Sequence, residues 1–261
     1  QSVQMLPQGN IGELFDVLES KPVSTGDEII SEVQKHTGFD QLAGGSAQYP
    51  IISQYYDNRY RDSYWEKRRG AKSRRKLRIR VYGSDNAEIP PATFIEVKHK
   101  HFGRGVKRRL KIDPEAALQL VEGKSAAHIS EEQLSNRSTR MIVAEINNLV
   151  HSKELEFLCT MRYDRQAFVG GEDAPDLRVT FDTGIACRFE HLDLRANDDR
   201  FTNYILPTDH CVLEVKTNTV VPFWLRRLGG ELGLVRRSYS KFCTALEKHD
   251  PVVGSAINQS Y

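Results

Sequence analysis

Apolar and polar side chains alternate along several stretches of the chain, and a period of two places successive residues on opposite faces of a strand. In KLRIRVY, Lys76, Arg78 and Arg80 share one face while Leu77, Ile79 and Val81 share the other. FIEVKHK sets Glu96, Lys98 and Lys100 against Ile95 and Val97, and VKRRLKI sets Lys107, Arg109 and Lys111 on one side, with Arg108 interrupting the apolar one. The linking HFGRG suits a hairpin. LRVTF puts Arg178 and Thr180 opposite Val179 and Phe181, and VLEVKT puts Glu214 and Lys216 opposite Leu213 and Val215. YPIISQYYD and ELEFLCTMRYDRQAF complete the set of expected strands.

Other segments follow the helical period. Ile11, Leu14, Phe15 and Leu18 recur at helical spacing, and Ile29, Ile30 and Val33 mark a second short helix. The segment ISEEQLSNRSTRMIVAEINNLV reads as helix with Ser130 as N-cap, and PFWLRRLGGELGL as a short helix closed at glycine. The sum is an α+β chain dominated by antiparallel hairpins. Residues 1–48 are expected to form a helical, loop-rich segment packed on the rest, and residues 49–261 the main domain.

Composition changes this picture only locally. The 261 residues carry 37 basic and 35 acidic side chains, a net charge of +2, with 39% hydrophobic and 28% charged residues. That is ordinary for a globular protein and too balanced for one that coats nucleic acid. No run of about 18 apolar residues occurs, so no transmembrane helix is expected. QSVQMLPQGNIGELF lacks the basic and apolar regions of a signal peptide, and a cytoplasmic location is expected. Cys159, Cys187, Cys211 and Cys243 form no CxxC pair, which argues against zinc and against a disulfide framework.

The sign of the charge on the strands is the informative feature. A solvated face mixes Lys with Glu, and like charges opposite one another on neighbouring strands are destabilising. Here cations recur with an occasional carboxylate, as if an anionic ligand neutralised them. Curled into a barrel, such strands aim alternate residues into a polar lumen. The expected fold is therefore an antiparallel β-barrel forming a basic tunnel, with flanking helices. Eleven residues between Arg59 and Arg80 are Lys or Arg. Of these, the Arg68–Lys76 portion reads as a solvated, mobile connection that guides polyanions through its field.

KLRIRVYG, FIEVKHK with GVKRRL, YDRQAF, RVTFDT, LEVK and SKF, in that order, resemble the VTC-type polyphosphate polymerase domain. This is the catalytic domain of the vacuolar transporter chaperone complex and of stand-alone bacterial relatives, in the triphosphate tunnel (CYTH-like) superfamily. The resemblance spans roughly residues 49–243. It implies transfer of the γ-phosphate of ATP to a growing polyphosphate chain, with Mn²⁺ or Mg²⁺. It also implies roles for particular residues. Arg78 and Arg80 match the RxR strand, and Lys67 falls on an upstream basic position. Lys98 and Lys107, with Arg109 beside the latter, match the lysines of the next strands. Tyr163 and Arg165, then Arg178, match later phosphate contacts, and Ser240 and Lys241 a C-terminal pair. Glu214 matches the metal-binding glutamate, Glu96 is a second candidate, and Lys216 adds a cation beside Glu214. Family members open with a strand of Arg/Lys-Glu-x-Lys-Tyr type, which residues 1–48 lack.

Two other readings compete. A tripolyphosphate or organic triphosphate hydrolase of the same superfamily would line its tunnel with an ExExK pattern, of which FIEVK holds only Glu96. A non-catalytic polyanion-binding module would need no phosphoryl transfer, and nucleic acid would require more aromatic platforms among these strands. ATP and polyphosphate are the expected partners, nucleic acid is not, and a membrane-associated partner is left open. The Asp-Thr of RVTFDT reads as turn chemistry.

Overall fold

A computed structural model describes residues 14–17, 23–40, 48–83, 92–124, 129–190, 193–196, 198–234 and 238–258. Among the described residues ten antiparallel strands form one sheet: β1 (Leu14–Val17), β2 (Thr37–Phe39), β3 (Tyr49–Asp57), β4 (Ser73–Tyr82), β5 (Ala92–His101), β6 (Arg104–Lys111), β7 (Glu156–Gly170), β8 (Arg178–Arg188), β9 (Asn203–Tyr204) and β10 (Val212–Lys216). Their lateral order is β1-β10-β8-β7-β3-β4-β5-β6, with β2 added to β7 and β9 to β8. The helices are α1 (Val23–His36), α2 (Asp62–Arg68), α3 (Pro114–Val121), α4 (Glu131–Ser135), α5 (Arg137–Ser152), α6 (Phe223–Glu231), α7 (Lys241–His249) and α8 (Pro251–Asn258). The fold is thus α+β and antiparallel, of the tunnel type.

The barrel is open among the described residues, because β1 and β6 end the strand order without pairing to each other. β1 has only four residues. β6 carries Arg104, Lys107, Arg108, Arg109 and Lys111, and charges on an edge strand resist further pairing.

Alternation decides which face meets which helices. Leu77, Ile79, Ile95, Val97 and Leu110 pack with Leu120 of α3 and Ile142, Ile146 and Leu149 of α5. Further along the same sheet, Phe168, Val179, Phe181, Leu213 and Val215 pack with Ile29 and Val33 of α1 and Leu225 of α6. The opposite face carries the polar residues of β4, β5 and β6, and α7 covers part of it. Phe242 and Leu246 of α7 pack there with Tyr55, Met161, Tyr163 and Ile185. β3 lies at the centre, and all nine of its residues are buried.

Local signals explain the expected elements and the departures. Phe102 and Gly103 at the β5–β6 turn both have positive φ, 47° and 83°, the backbone of a tight hairpin turn. Ser130 Oγ accepts from the Gln133 amide as expected, but α4 is only one turn. A second helix then starts, because the Asn136 side chain accepts from the amides of Ser138 and Thr139.

The basic run is not a loose connection. Buried Asp57 accepts from the amides of Ser63 and Tyr64 and so anchors α2, and β4 already begins at Ser73. Leu14 and Phe15 belong to a strand rather than to the expected helix, with Leu14 opposite Val215 and Phe15 opposite Glu214. Ile11 and Leu18 lie outside the described residues. The first described strand reads LFDV and so holds no lysine.

Candidate phosphate site

The charged face is assembled by register. Across β3, β4, β5 and β6, Tyr55 lies opposite Arg78, Arg78 opposite Glu96, and Glu96 opposite Arg109. One step along, Ser53 faces Arg80, which faces Phe94. Arg165 of β7 stands opposite Asp182 of β8, and Lys216 of β10 opposite Arg178. Period-two alternation along separate strands thus brings distant sequence positions onto one surface.

Three carboxylates organise the cations there. Glu96, fully buried, binds Arg78 Nη2 at 2.6 Å and Nε at 2.7 Å, and Lys107 Nζ lies 3.4 Å from its other oxygen. Asp182, also fully buried, accepts from Arg165 Nε at 2.6 Å and Nη2 at 2.7 Å, and from Lys241 Nζ at 2.6 Å. Glu214 is held by Lys216, with Arg165 Nη2 4.0 Å from its other oxygen.

Burial pushes each of these acids up, but the neighbouring cations prevail. Arg78, Arg80 and Lys107 hold Glu96 well below the usual carboxylate range. Lys216, Arg165 and Lys241 do the same for Glu214, and Arg165 and Lys241 lower Asp182. All three are therefore ionised at neutral pH.

Acids with depressed values stabilise the fold above the pKa of the unfolded chain, about 4, and lose that contribution as pH falls through the folded value. Thermal melting should show a midpoint that is nearly flat above about pH 5 and drops steeply below about pH 4. A rise on acidification would contradict these ion pairs.

Arg80 differs from the other arginines. It is 6% exposed, and it donates at 3.0 Å to Ser53 Oγ and at 3.0 Å to the Tyr163 hydroxyl. Among the described residues no carboxylate comes within 4.0 Å of it. Around the three carboxylates Glu96, Asp182 and Glu214 the face thus gathers six cations, Arg78, Arg80, Lys107, Arg165, Lys216 and Lys241. Arg80 acts on Glu96 only at a distance and stands over the Tyr82 ring; a buried cation without a carboxylate in direct contact is costly, and an anionic ligand removes that cost.

The remaining expected residues lie around this network. Arg178 reaches Asp40 at 2.7 Å. Lys98 is exposed and lies between Lys76 and Lys107 in register, so three lysines line up across β4, β5 and β6. Lys76 Nζ sits 4.2 Å above the Phe242 ring. Arg109 stacks on Phe94, 4.6 Å from the ring centroid. Lys67 donates to Ser238 Oγ at 3.0 Å, and burial, then Arg74, lowers its pKa. Ser240 serves as N-cap of α7, accepting from the Cys243 amide at 3.4 Å, which sets Lys241 at the first helical position.

Asp182, Tyr55 and Ser53 were not singled out by sequence reasoning. Asp182 lies in mid-strand rather than in a turn. Tyr55 accepts from Arg78 Nη1 at 3.1 Å; burial raises its pKa, but Arg78, Arg80 and Lys241 together bring it below the ordinary value. Parity was a signal for Asp182, which falls on the same side of its strand as Arg178 and Thr180, whereas Tyr55 and Ser53 are placed on the charged face only by their register with Arg78 and Arg80.

No group of three His, Cys, Asp or Glu side chains among the described residues could alone hold a metal ion. Both Glu96 oxygens face cations, whereas the Glu214 oxygen 4.0 Å from Arg165 is not closed off by its ion pair. Glu214 is the carboxylate that fits a hard divalent cation whose remaining ligands are phosphate oxygens.

The VTC domain family matches residues 22–249. The chain belongs to the VTC domain family. Membership places this VTC domain among tunnel-fold proteins whose functions concern polyphosphate and triphosphates, and among enzymes of that superfamily. No curated protein matches the chain. Two solved structures are similar to it in fold. The PH1819 protein from Pyrococcus horikoshii OT3 is 13% identical with a TM-score of 0.47, covering 92% of this chain and 99% of its own. The bh2851 protein from Bacillus halodurans, a candidate adenylate cyclase, is 13% identical with a TM-score of 0.49, covering 87% and 92%. No helix among the described residues is long and apolar enough to cross a membrane.

Proposed function

We propose that this VTC domain is a polyphosphate polymerase that transfers the γ-phosphate of ATP to the end of a polyphosphate chain. The observation that carries the reading is the buried Arg80, with no carboxylate within 4.0 Å among the described residues, in a group of six cations around three carboxylates. Phosphoryl transfer asks the protein mainly for in-line positioning and for compensation of charge on the transferring group.

Arg78, Arg80 and Arg165 are planar donors suited to paired phosphate oxygens, and they stay charged at every working pH. Their directions are set: Glu96 and Tyr55 hold Arg78, Ser53 and Tyr163 hold Arg80, and Asp182 holds Arg165. Lys107, Lys216 and Lys241 act as point charges beside them, and Arg178 lies further out. The terminal oxygen of polyphosphate attacks the γ-phosphorus, the bond to the β-phosphate oxygen breaks, and ADP leaves. Mn²⁺ or Mg²⁺ held by Glu214 and phosphate oxygens would supply further charge neutralisation. The row Lys76, Lys98 and Lys107 offers a path for the chain.

A hydrolase is the second reading, and the scarcity of carboxylates disfavours it. Incubation with ATP and Mn²⁺, with products resolved on a gel, separates the two. The polymerase gives long polyphosphate and ADP, whereas phosphate release without chain growth would overturn it in favour of the hydrolase.

A further inference from the structure

The charged face is not uniform along its strands. At the α7 end, Lys76, Lys98 and Lys107 lie side by side, with Arg74 opposite Lys100 one step further out. Toward the other end of the same face, rings join the cations, with Phe94 between Arg80 and Lys111 in register and Tyr49 opposite Arg165. Phe94 lies directly opposite Arg80, and Tyr82 follows Arg80 by two residues on the same side. The Tyr82 and Phe94 rings meet edge to face at 5.7 Å, and Tyr49 lies 6.3 Å from Tyr82. Tyr82 and Phe94 are only partly buried, although Tyr82 also packs against the core beneath it. Arg109 already stacks on Phe94. The Tyr49 hydroxyl is buried and has no hydrogen-bond partner, which is uncommon for a buried polar atom.

A ligand that is all phosphate would be served by cations at both ends. A face whose partly exposed rings, Phe94 and Tyr82, stand among cations at one end only, with lysines in a row at the other, matches a molecule with a phosphate tail and a planar head. We infer that Phe94, with Tyr82 and the stacked Arg109, forms a nucleobase subsite that distinguishes a nucleoside triphosphate from inorganic polyphosphate. Every base presents a π-face, so rings and guanidinium planes hold bases by stacking with little demand on base identity. This subsite orients the donor: the base lies at the Phe94 end, the γ-phosphate lies near Arg80 and Arg78, and the growing chain leaves past Lys107 and Lys98. The inference rests on the phosphate reading above, and it makes the domain selective for the nucleoside part of its donor rather than for the triphosphate alone.

Calorimetric titration of ATP and of inorganic tripolyphosphate into the wild type, Phe94→Ala and Phe94→Leu tests it. Stacking on a ring is worth enough for its loss to weaken ATP binding about tenfold. Both variants should show that loss, with tripolyphosphate binding unchanged within about twofold. Leucine retains apolar bulk without a planar face, so the same ATP-selective loss there separates stacking from packing. Equal weakening of both ligands, or no weakening of ATP, would overturn the subsite while leaving the phosphate site standing. A wild type that binds neither ligand would overturn the phosphate reading itself.

Discussion

Replacing Arg80 with alanine should reduce ATP-dependent polyphosphate synthesis by about 10²–10³-fold, the scale set by removing one preorganised donor from a transition state's charge. The fold should survive. Arg80 donates to the Ser53 and Tyr163 hydroxyls and stands over the Tyr82 ring, and Glu96, which feels its charge, keeps Arg78 and Lys107, so its removal leaves no ionised carboxylate without a partner and thermal melting should shift little. Lysine at this position keeps the charge but loses the planar fork, so Arg80→Lys should recover binding of tripolyphosphate better than it recovers turnover. Steady-state assays of both variants, paired with melting curves, measure this. Synthesis within about twofold of wild type in Arg80→Ala would sink the assignment of Arg80 to the transferring phosphate.

Asp182→Asn should have the largest effect on stability. Asp182 neutralises two buried cations at once, Arg165 and Lys241, and links β8 to β7 and to the start of α7. Breaking a buried ion pair from one side costs about 3–5 kcal/mol, because it strands the remaining charge. For a domain of this size that is a fall of about 10 °C in melting temperature. A polyanion bound to the native face replaces the missing negative charge, so tripolyphosphate should raise the midpoint of the variant more than that of the wild type. Differential scanning fluorimetry with and without tripolyphosphate reads both effects. A variant that melts with the wild type, or that gains no more from the ligand, would show that Asp182 does not organise Arg165 and Lys241.

Several parts of this structure were legible from residue order. The alternation in KLRIRVY, FIEVKHK and VKRRLKI placed β4, β5 and β6 and their charged face, because a period of two is a local property of each strand. YPIISQYYD was read as a strand from its β-branched and aromatic content, and it is the buried centre of the sheet. Local signals failed where distant partners decide.

Leu14 and Phe15 satisfy a helical spacing as readily as a strand in so short a segment, and their pairing with Val215 and Glu214 settles it. Asp182 resembles turn chemistry beside a threonine, and only Arg165 and Lys241 give it a role. The basic run conceals a helix whose anchor, Asp57, lies before the run begins. Of the candidate residues, register and ion pairing connect Arg78, Glu96, Lys107, Arg165, Glu214, Lys216 and Lys241. Arg80 and Tyr163 join through a hydrogen bond. Ser240 is instead occupied as a helix cap, a use that a Ser-Lys pair in sequence does not distinguish from phosphate contact.

The central claim is that the excess of cations on this face exists to hold phosphate anions, and calorimetric titration of tripolyphosphate at two salt concentrations tests it most directly. The account predicts one saturable site per chain, affinity that falls as salt is raised, and clear weakening in Arg80→Ala and in Lys241→Ala. Absence of binding, or binding that both substitutions leave unchanged, would contradict it.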